Sequence, residues 1–152
     1  MTVYRERLRA SPWTFVATAL LIPMSLLILV PISLVAGIVA AVLLYGAATV
    51  ALIVSAPLIE VTGTEFRAGR ARVPRHQLGP AVTFSGNDAF VQRGQRLDAR
   101  AWTVLSSAAN SVVKVPIRDP EDPAPYWLVS TRHPKDLAAA LNSRPDVAGA
   151  ES

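Results

Sequence analysis

From Ser11 to Ile59 the chain carries no charged residue, a run of 49 positions. A helix needs about 20 apolar residues to cross a hydrocarbon core of about 30 Å. As one helix the run would be roughly twice too long, and three crossings do not fit. Two helices joined by a short turn do fit. Proline removes a backbone donor and clashes with the preceding turn. Pro31, beside Ile32 and Ser33, therefore marks the turn, with Gly37 as the other candidate. The pattern predicts a helical hairpin over 12–57, with spans at about 12–30 and 33–56 and Pro57 closing the second. Pro23 predicts a kink in the first span, tolerated in lipid where the freed carbonyl finds a partner.

The flanks orient this hairpin. Arg5, Arg7 and Arg9 precede it, and Arg67, Arg70, Arg72 and Arg75 follow it. Basic residues near span ends favour the cytoplasmic side. Both termini are therefore expected on the cytoplasmic side of an inner (plasma) membrane, with residues 1–11 as a basic cytoplasmic tail. Trp13 suits the inner interface. A cleaved signal peptide competes, but its apolar core would be about 7–15 residues and would end at a small-residue cleavage site. A hairpin that stops short of the far side is the other alternative. The helices hold no acid, base or histidine, and proton or ion pathways normally need such groups at membrane depth. Gly37, Ala40, Ala41 and Gly46 to Ala48 are ordinary small residues for packing two helices closely.

The remainder reads as one small β-rich cytoplasmic domain over 58–142, followed by a loose tail over 143–152. Short strands are predicted at Leu58–Thr62, Glu65–Ala68 and Arg70–Val73, the last two around Gly69. Others are predicted at Val82–Phe84, Ala89–Val91, Ser111–Ile117 and Tyr126–Thr131. Ser85-Gly86-Asn87-Asp88 reads as a turn. Ala101, Trp102, Leu105 and Ala108 have helical spacing and predict a helix over 98–109. A second helix begins at Pro134, since proline suits a first helical position and Asp136 suits the positive end.

Asp119 to Pro125 crowds three acids and three prolines into seven residues. The plain reading is a stiff, solvated connection into the last strand. The sharper one is a rigid recognition loop with Tyr126 and Trp127 at its base, since proline rigidity lowers the ordering cost of binding. The string DPEDPAPYWLVSTRHPKDLAAAL, with YRERL, EVTGTEFRAGRARVP and RGQRLDARA before it, resembles an actinobacterial two-helix integral membrane family. That family is known as a domain of unknown function (thirty-ninety-three). The resemblance runs from Tyr4 to Leu141, with Ala124 where the family carries threonine. It implies architecture and no chemistry. The part after the hairpin also resembles bacterial pleckstrin-homology-like domains, in which a bent sheet or barrel is closed by a C-terminal helix.

Chemistry is sparse. The chain has no cysteine, which excludes disulfides, thiolate catalysis and cysteine-ligated metals. His76 and His133 each sit beside a proline or in a loop, without partners at ligand spacing. Asp119, Glu121 and Asp122 lack a calcium-loop pattern, and no phosphate-loop, dinucleotide or nucleophile-elbow motif occurs. No cofactor and no metal are expected. From Glu60 onward 12 basic residues face 10 acidic ones, a weaker bias than a nucleic-acid domain shows. Arg93, Arg96 and Arg100 form a second basic run, read as a solvated surface.

The fold expectation is an α+β membrane protein: a transmembrane hairpin, then a mainly-β domain closed by a C-terminal helix. The function expectation is a non-enzymatic interaction or scaffold module that binds a membrane protein partner or anionic lipid. Arg67, Arg70, Arg72, Arg75, Tyr126 and Trp127 are its candidate contact residues. The alternatives are a membrane-associated enzyme acting on a lipid and a packing subunit of a larger membrane complex.

Overall fold

A computed structural model of the chain describes residues 2–143; most of the expected tail lies outside them. The described residues divide into two units, one formed by 2–8 with 57–143 and the other by 9–56.

The second unit is the helical hairpin. Helix α1 spans Pro12–Ala19, α2 Leu21–Leu29 and α3 Leu34–Val54. The break at Leu20 follows from Pro23, which has no N–H to offer the carbonyls one turn earlier. There the Leu20 N–H bonds the Ala17 carbonyl instead, at 3.2 Å. Val30, Pro31 and Ile32 form the turn. Ser33 then opens α3 with extended backbone, its Oγ accepting from the Ala36 N–H at 3.4 Å. Helix α2 packs on α3 around buried Ser25, Gly37 and Ala41. A Cβ on Gly37 would lie 3.3 Å from Leu26 Cδ2, so glycine sets this close approach. The hydroxyls of Thr18 and Ser25 bond to backbone carbonyls of their own helix, at 2.7 and 2.6 Å. Pro12–Leu29 and Leu34–Val54 are each long and apolar enough to cross a membrane. Only 6% and 11% of their residues are buried, unlike the core helix of a soluble protein.

The other unit holds two four-stranded sheets. The first is an antiparallel meander of β1 (Thr2–Arg7), β2 (Leu58–Thr62), β3 (Glu65–Ala68) and β4 (Ala71–Pro74). The second joins β5 (Val82–Ser85), β6 (Trp102–Val104), β7 (Ser111–Pro116) and β8 (Tyr126–Thr131) in the order β5-β7-β8-β6. Helices α4 (Gly86–Arg93) and α5 (Pro134–Asn142) complete it.

Alternation along the strands builds the core. Ile59, Val61, Phe66, Ala68 and Val73 from the first sheet meet Val104, Val113, Val115, Trp127 and Val129 from the second. Leu137, Ala138, Ala140 and Leu141 of α5 close this layer. Strand β8 is central and buried at every position. Trp127 and Val129 belong to this core, while Tyr126 and Leu128 join Ala89 of α4 and Val112 in a second cluster on the opposite face.

Three expectations are corrected. The N-terminal residues are not a separate tail: Thr2–Arg7 is an edge strand paired with β2, from Thr2↔Thr62 to Arg7↔Leu58. Segment 98–109 is not a helix. Trp102–Val104 runs parallel to β8, where Trp102 meets Trp127 with ring centroids 6.1 Å apart. The apparent helical stripe is misleading, since Trp102 and Leu105 are 38% and 42% exposed while Val104 is buried. Ala89–Val91 is not a strand but part of α4. Gly86 adopts φ +56° after an extended Ser85, and Asp88 and Arg93 occupy the first and last turns, as the helix dipole favours.

Candidate functional site

The outer face of the first sheet gathers most of the arginines that the sequence marks. In paired antiparallel strands, opposed residues share a face. The register places Arg5 opposite Glu60, Glu60 opposite Arg67, and Arg67 opposite Arg72. Four strands thus carry one row, Arg5–Glu60–Arg67–Arg72. The rows on either side are Tyr4–Val61–Phe66–Val73 and Glu6–Ile59–Ala68–Ala71, and they point inward. Arg70 sits in the turn between β3 and β4, where Gly69 takes φ +64°. Arg67 Nε donates to the Gly69 carbonyl at 3.3 Å.

Like charges directly opposed across strands are destabilising, and Arg67 and Arg72 are so placed. Glu60 answers on one side only, and its Oε1 also accepts from the Thr2 hydroxyl at 3.4 Å. The ion pairs Arg100–Asp98 and His133–Asp136 lie elsewhere. Among the described residues, Arg5, Arg67, Arg70 and Arg72 form no ion pair within 4.0 Å.

Arg75 is not part of this face. It is 4% exposed, and its guanidinium Nη2 donates to the carbonyls of Ala140, Leu141 and Ser143 at 2.7, 3.2 and 2.6 Å. Nη1 reaches the Thr62 carbonyl at 3.3 Å. Helix α5 has no basic residue in its last turn, and its final carbonyls lack intrahelical partners. Arg75 supplies the missing donors from a distant segment.

Tyr126 and Trp127 are likewise structural. Trp127 is 4% exposed and tilts against Phe66 at 5.6 Å. The Tyr126 hydroxyl accepts from the Asp98 N–H at 2.8 Å and donates to the Arg96 carbonyl at 3.2 Å. Lys114 Nζ lies 4.1 Å above its ring. In the proline loop, Asp119 and Asp122 accept from the backbone N–H groups of Glu121 and Ala124, at 3.0 and 2.8 Å. Asp119 also accepts from Gln77 Nε2 at 3.0 Å. Asp119 and Asp122 thus shape the loop through these bonds. Among the described residues, no group of three or more His, Asp or Glu side chains could hold a metal ion.

Sequence reasoning missed one polar cluster. Glu6 Oε2 accepts from the Tyr4 hydroxyl at 2.7 Å and the Thr131 hydroxyl at 2.5 Å. Its Oε1 accepts from the Arg132 N–H at 3.0 Å. Thr131 Oγ1 in turn accepts from the His133 N–H at 3.0 Å. Burial alone would push the Glu6 carboxyl up, but Thr131, Tyr4, the Arg132 N–H and nearby His133 outweigh it and hold the pKa below the ordinary value. Burial first, and then Glu6, raise the Tyr4 phenol. The available signal was the alternation in Tyr4-Arg5-Glu6-Arg7, which puts Tyr4 and Glu6 on the face opposite the arginines. Arg93 is a second such tie. It donates to the Ala109 and Ser111 carbonyls at 2.5 and 3.3 Å, and burial lowers its pKa.

Fold and face together define a two-sheet α+β unit with a basic outer sheet face, interrupted in sequence by an apolar helical hairpin. The chain belongs to the family described as "Protein of unknown function (DUF3093)", which it matches over residues 3–141. No curated protein and no solved structure matches it. All four family-like segments fall on the β unit's framework. YRERL and the proline-loop string meet at Glu6 and Thr131, EVTGTEFRAGRARVP forms β2 to β4, and RGQRLDARA links α4 to β6.

Proposed function

We propose that this protein is a membrane-anchored, non-enzymatic interaction module of the inner membrane, with its β unit and both described chain ends on the cytoplasmic side. One observation carries the reading: β1 and β2 pair with each other across the whole hairpin. Arg7 faces Leu58, and beyond them the Leu8 N–H bonds the Pro57 carbonyl at 3.1 Å. A hairpin inserted between two paired strands must leave and return on one side of the bilayer, whatever its flanking charge. The arginines on both flanks support the cytoplasm as that side. The exposure of both apolar helices supports lipid as their surroundings.

The non-enzymatic part rests on how the polar groups are used. Glu6, Thr131, Arg75, Arg93, Asp98, Asp119 and Asp122 all bond to backbone or to one another in ways that hold the fold. Two sheets closed by α5 also support kinship with pleckstrin-homology-like domains, to which parallel β6 and covering α4 would be additions.

Native cysteine is absent, so single cysteines test the topology in the full chain. Thr2→Cys, Asn110→Cys and Ile32→Cys would each be probed with a membrane-impermeant maleimide in sealed vesicles of known orientation. The first two are expected to react only from the cytoplasmic side, and the third, in the turn, only from the other. Thr2→Cys and Asn110→Cys reacting from opposite sides would refute the reading. Ile32→Cys protected from both sides would replace the spanning hairpin with one that stops within the bilayer.

A further inference from the structure

Arg5, Arg7, Arg67, Arg70 and Arg72 lie around one end of the first sheet. At that end β1 finishes at Arg7 and β2 begins at Leu58. The β3–β4 turn lies there too, because the Gly69 N–H bonds the Leu58 carbonyl at 2.8 Å. Arg7 and Arg70 therefore flank the two points where the chain leaves for the hairpin and returns from it. The row Arg5–Glu60–Arg67–Arg72 is two residues further along the strands, about 7 Å at a strand's rise. A Debye length at physiological salt is about 8 Å. Five arginines and one glutamate thus lie within about one screening length of the connections. None of Arg5, Arg7, Arg67, Arg70 and Arg72 forms an ion pair within the described residues.

Fold stability does not account for this arrangement. Arg67 opposite Arg72 is unfavourable in isolation, and the buried side of the same strands supplies the packing. An anionic partner reverses the sign of the effect. Chain continuity limits where that partner can be. Arg7 is five positions from Pro12, and Leu58 is four positions from Val54. A bilayer holding the hairpin is the surface that these short connections keep beside the sheet end.

We infer that this arginine face docks on anionic phospholipid headgroups of the leaflet from which the hairpin enters. The inference rests on the membrane-anchored reading and adds the ligand class. Arg5, Arg70 and Arg72 are exposed and contact phosphate directly. Arg67, partly covered and tied to Gly69, strengthens the field at the centre of the row. Arg75 takes no part, being committed to the end of α5.

The test uses the full chain in nanodiscs of phosphatidylcholine, alone or mixed with phosphatidylglycerol. Phenylglyoxal modification of each arginine is followed by peptide mass spectrometry. Arg5, Arg70 and Arg72 are expected to react at least about tenfold more slowly in the anionic discs, and high salt should abolish the difference. Arg118, exposed and outside the first sheet, serves as the reference and should react alike in both. Headgroup attraction supplies roughly fivefold per basic residue near the surface. In R67Q/R72Q the protection left at Arg5 and Arg70 should therefore weaken, by up to about 30-fold in the docking equilibrium. Equal rates at Arg5, Arg70 and Arg72 in the two lipids would overturn the inference, as would undiminished protection in the double variant. If the cysteine labelling still places both ends on one side, the lipid inference alone fails. Ends on opposite sides would remove both.

Discussion

Glu6→Ala tests whether the N-terminal strand is an integral part of the β unit. The substitution removes the acceptor for three donors: the hydroxyls of Tyr4 and Thr131 and the N–H of Arg132. A hydrogen bond to a charged group contributes about 1.5–3 kcal/mol. Glu6 is only half-buried, so water replaces part of each bond and the sum must be discounted. Tyr4 and Thr131 also keep a mutual contact at 3.3 Å. The expected loss is about 2–4 kcal/mol, from a domain whose total stability is on the order of 5–15 kcal/mol. At a urea slope of about 2 kcal/mol/M, the midpoint falls by about 1–2 M. The assay is urea unfolding of the full chain in mild detergent, followed by tryptophan fluorescence in a Trp13→Phe background, so that Trp102 and Trp127 report.

The pH dependence carries the same signature. The Glu6 pKa is lower folded than its ordinary 4.5, so its contribution is fully present above that value. It is lost as the pH falls through the folded-state pKa. The gap between wild type and Glu6→Gln should therefore narrow in acid. Thr131→Val, combined with Glu6→Ala, should show a coupling of about 1–2 kcal/mol. An effect of Glu6→Ala below about 0.5 kcal/mol, or strict additivity with Thr131→Val, would refute the tie between β1 and β8.

Three further outcomes follow from the packing. Arg75→Leu removes its guanidinium donors from the last α5 carbonyls, of which Ala140 keeps only the Ser143 hydroxyl, and should cost about 2–4 kcal/mol, with early exchange of α5 amides in hydrogen–deuterium exchange as the check. Trp127→Ala empties the contact with Phe66 and Trp102 and should cost about 3–5 kcal/mol, while Trp127→Phe retains most of the urea midpoint. Gly69→Ala should cost only about 1 kcal/mol. Its strain comes from φ +64°, since the added Cβ would meet Val104 Cγ2 at an ordinary 3.6 Å; a larger drop in midpoint would mean that the turn itself rearranges.

What was legible in the sequence follows from which signals are local. The 49-residue run without charge placed the hairpin within a few residues, because length and apolarity alone decide it. Pro23 and Pro31 located the break and the turn, because a missing N–H acts only on its own helix. The meander β2 to β4 was legible for the same reason, Gly69 and the alternation lying within one short stretch. Errors arose where a distant segment decides the outcome. The helical spacing of Ala101, Trp102, Leu105 and Ala108 is real, but Trp127 and the Ala68 carbonyl, 3.3 Å from Trp102 Nε1, hold the segment extended. Arg75 looked like one more flanking arginine, because the uncapped end of α5 lies 65 positions away in sequence. Tyr126 and Trp127 were candidate contact residues at the base of a polar loop, yet β8 is the strand both sheet neighbours and both apolar layers need.

The largest revision concerns β1, and it bears on how the protein assembles. An N-terminal strand separated from its partner by 50 residues is a costly contact in a flexible chain, since closing a loop of n residues costs entropy that grows as ln n. An inserted hairpin changes that cost. On the membrane-anchored reading proposed above, once the helices pair the chain between Arg7 and Leu58 no longer behaves as one loose loop. A segment beginning at Glu60 lacks β1, exposes the edge of β2 and leaves Thr131 without Glu6. Such a fragment should unfold at lower urea than a chain in which a short linker replaces residues 9–56 and keeps β1. Equal midpoints for the two would mean that β1 is merely carried by the fold, and that Glu6 contributes little to it.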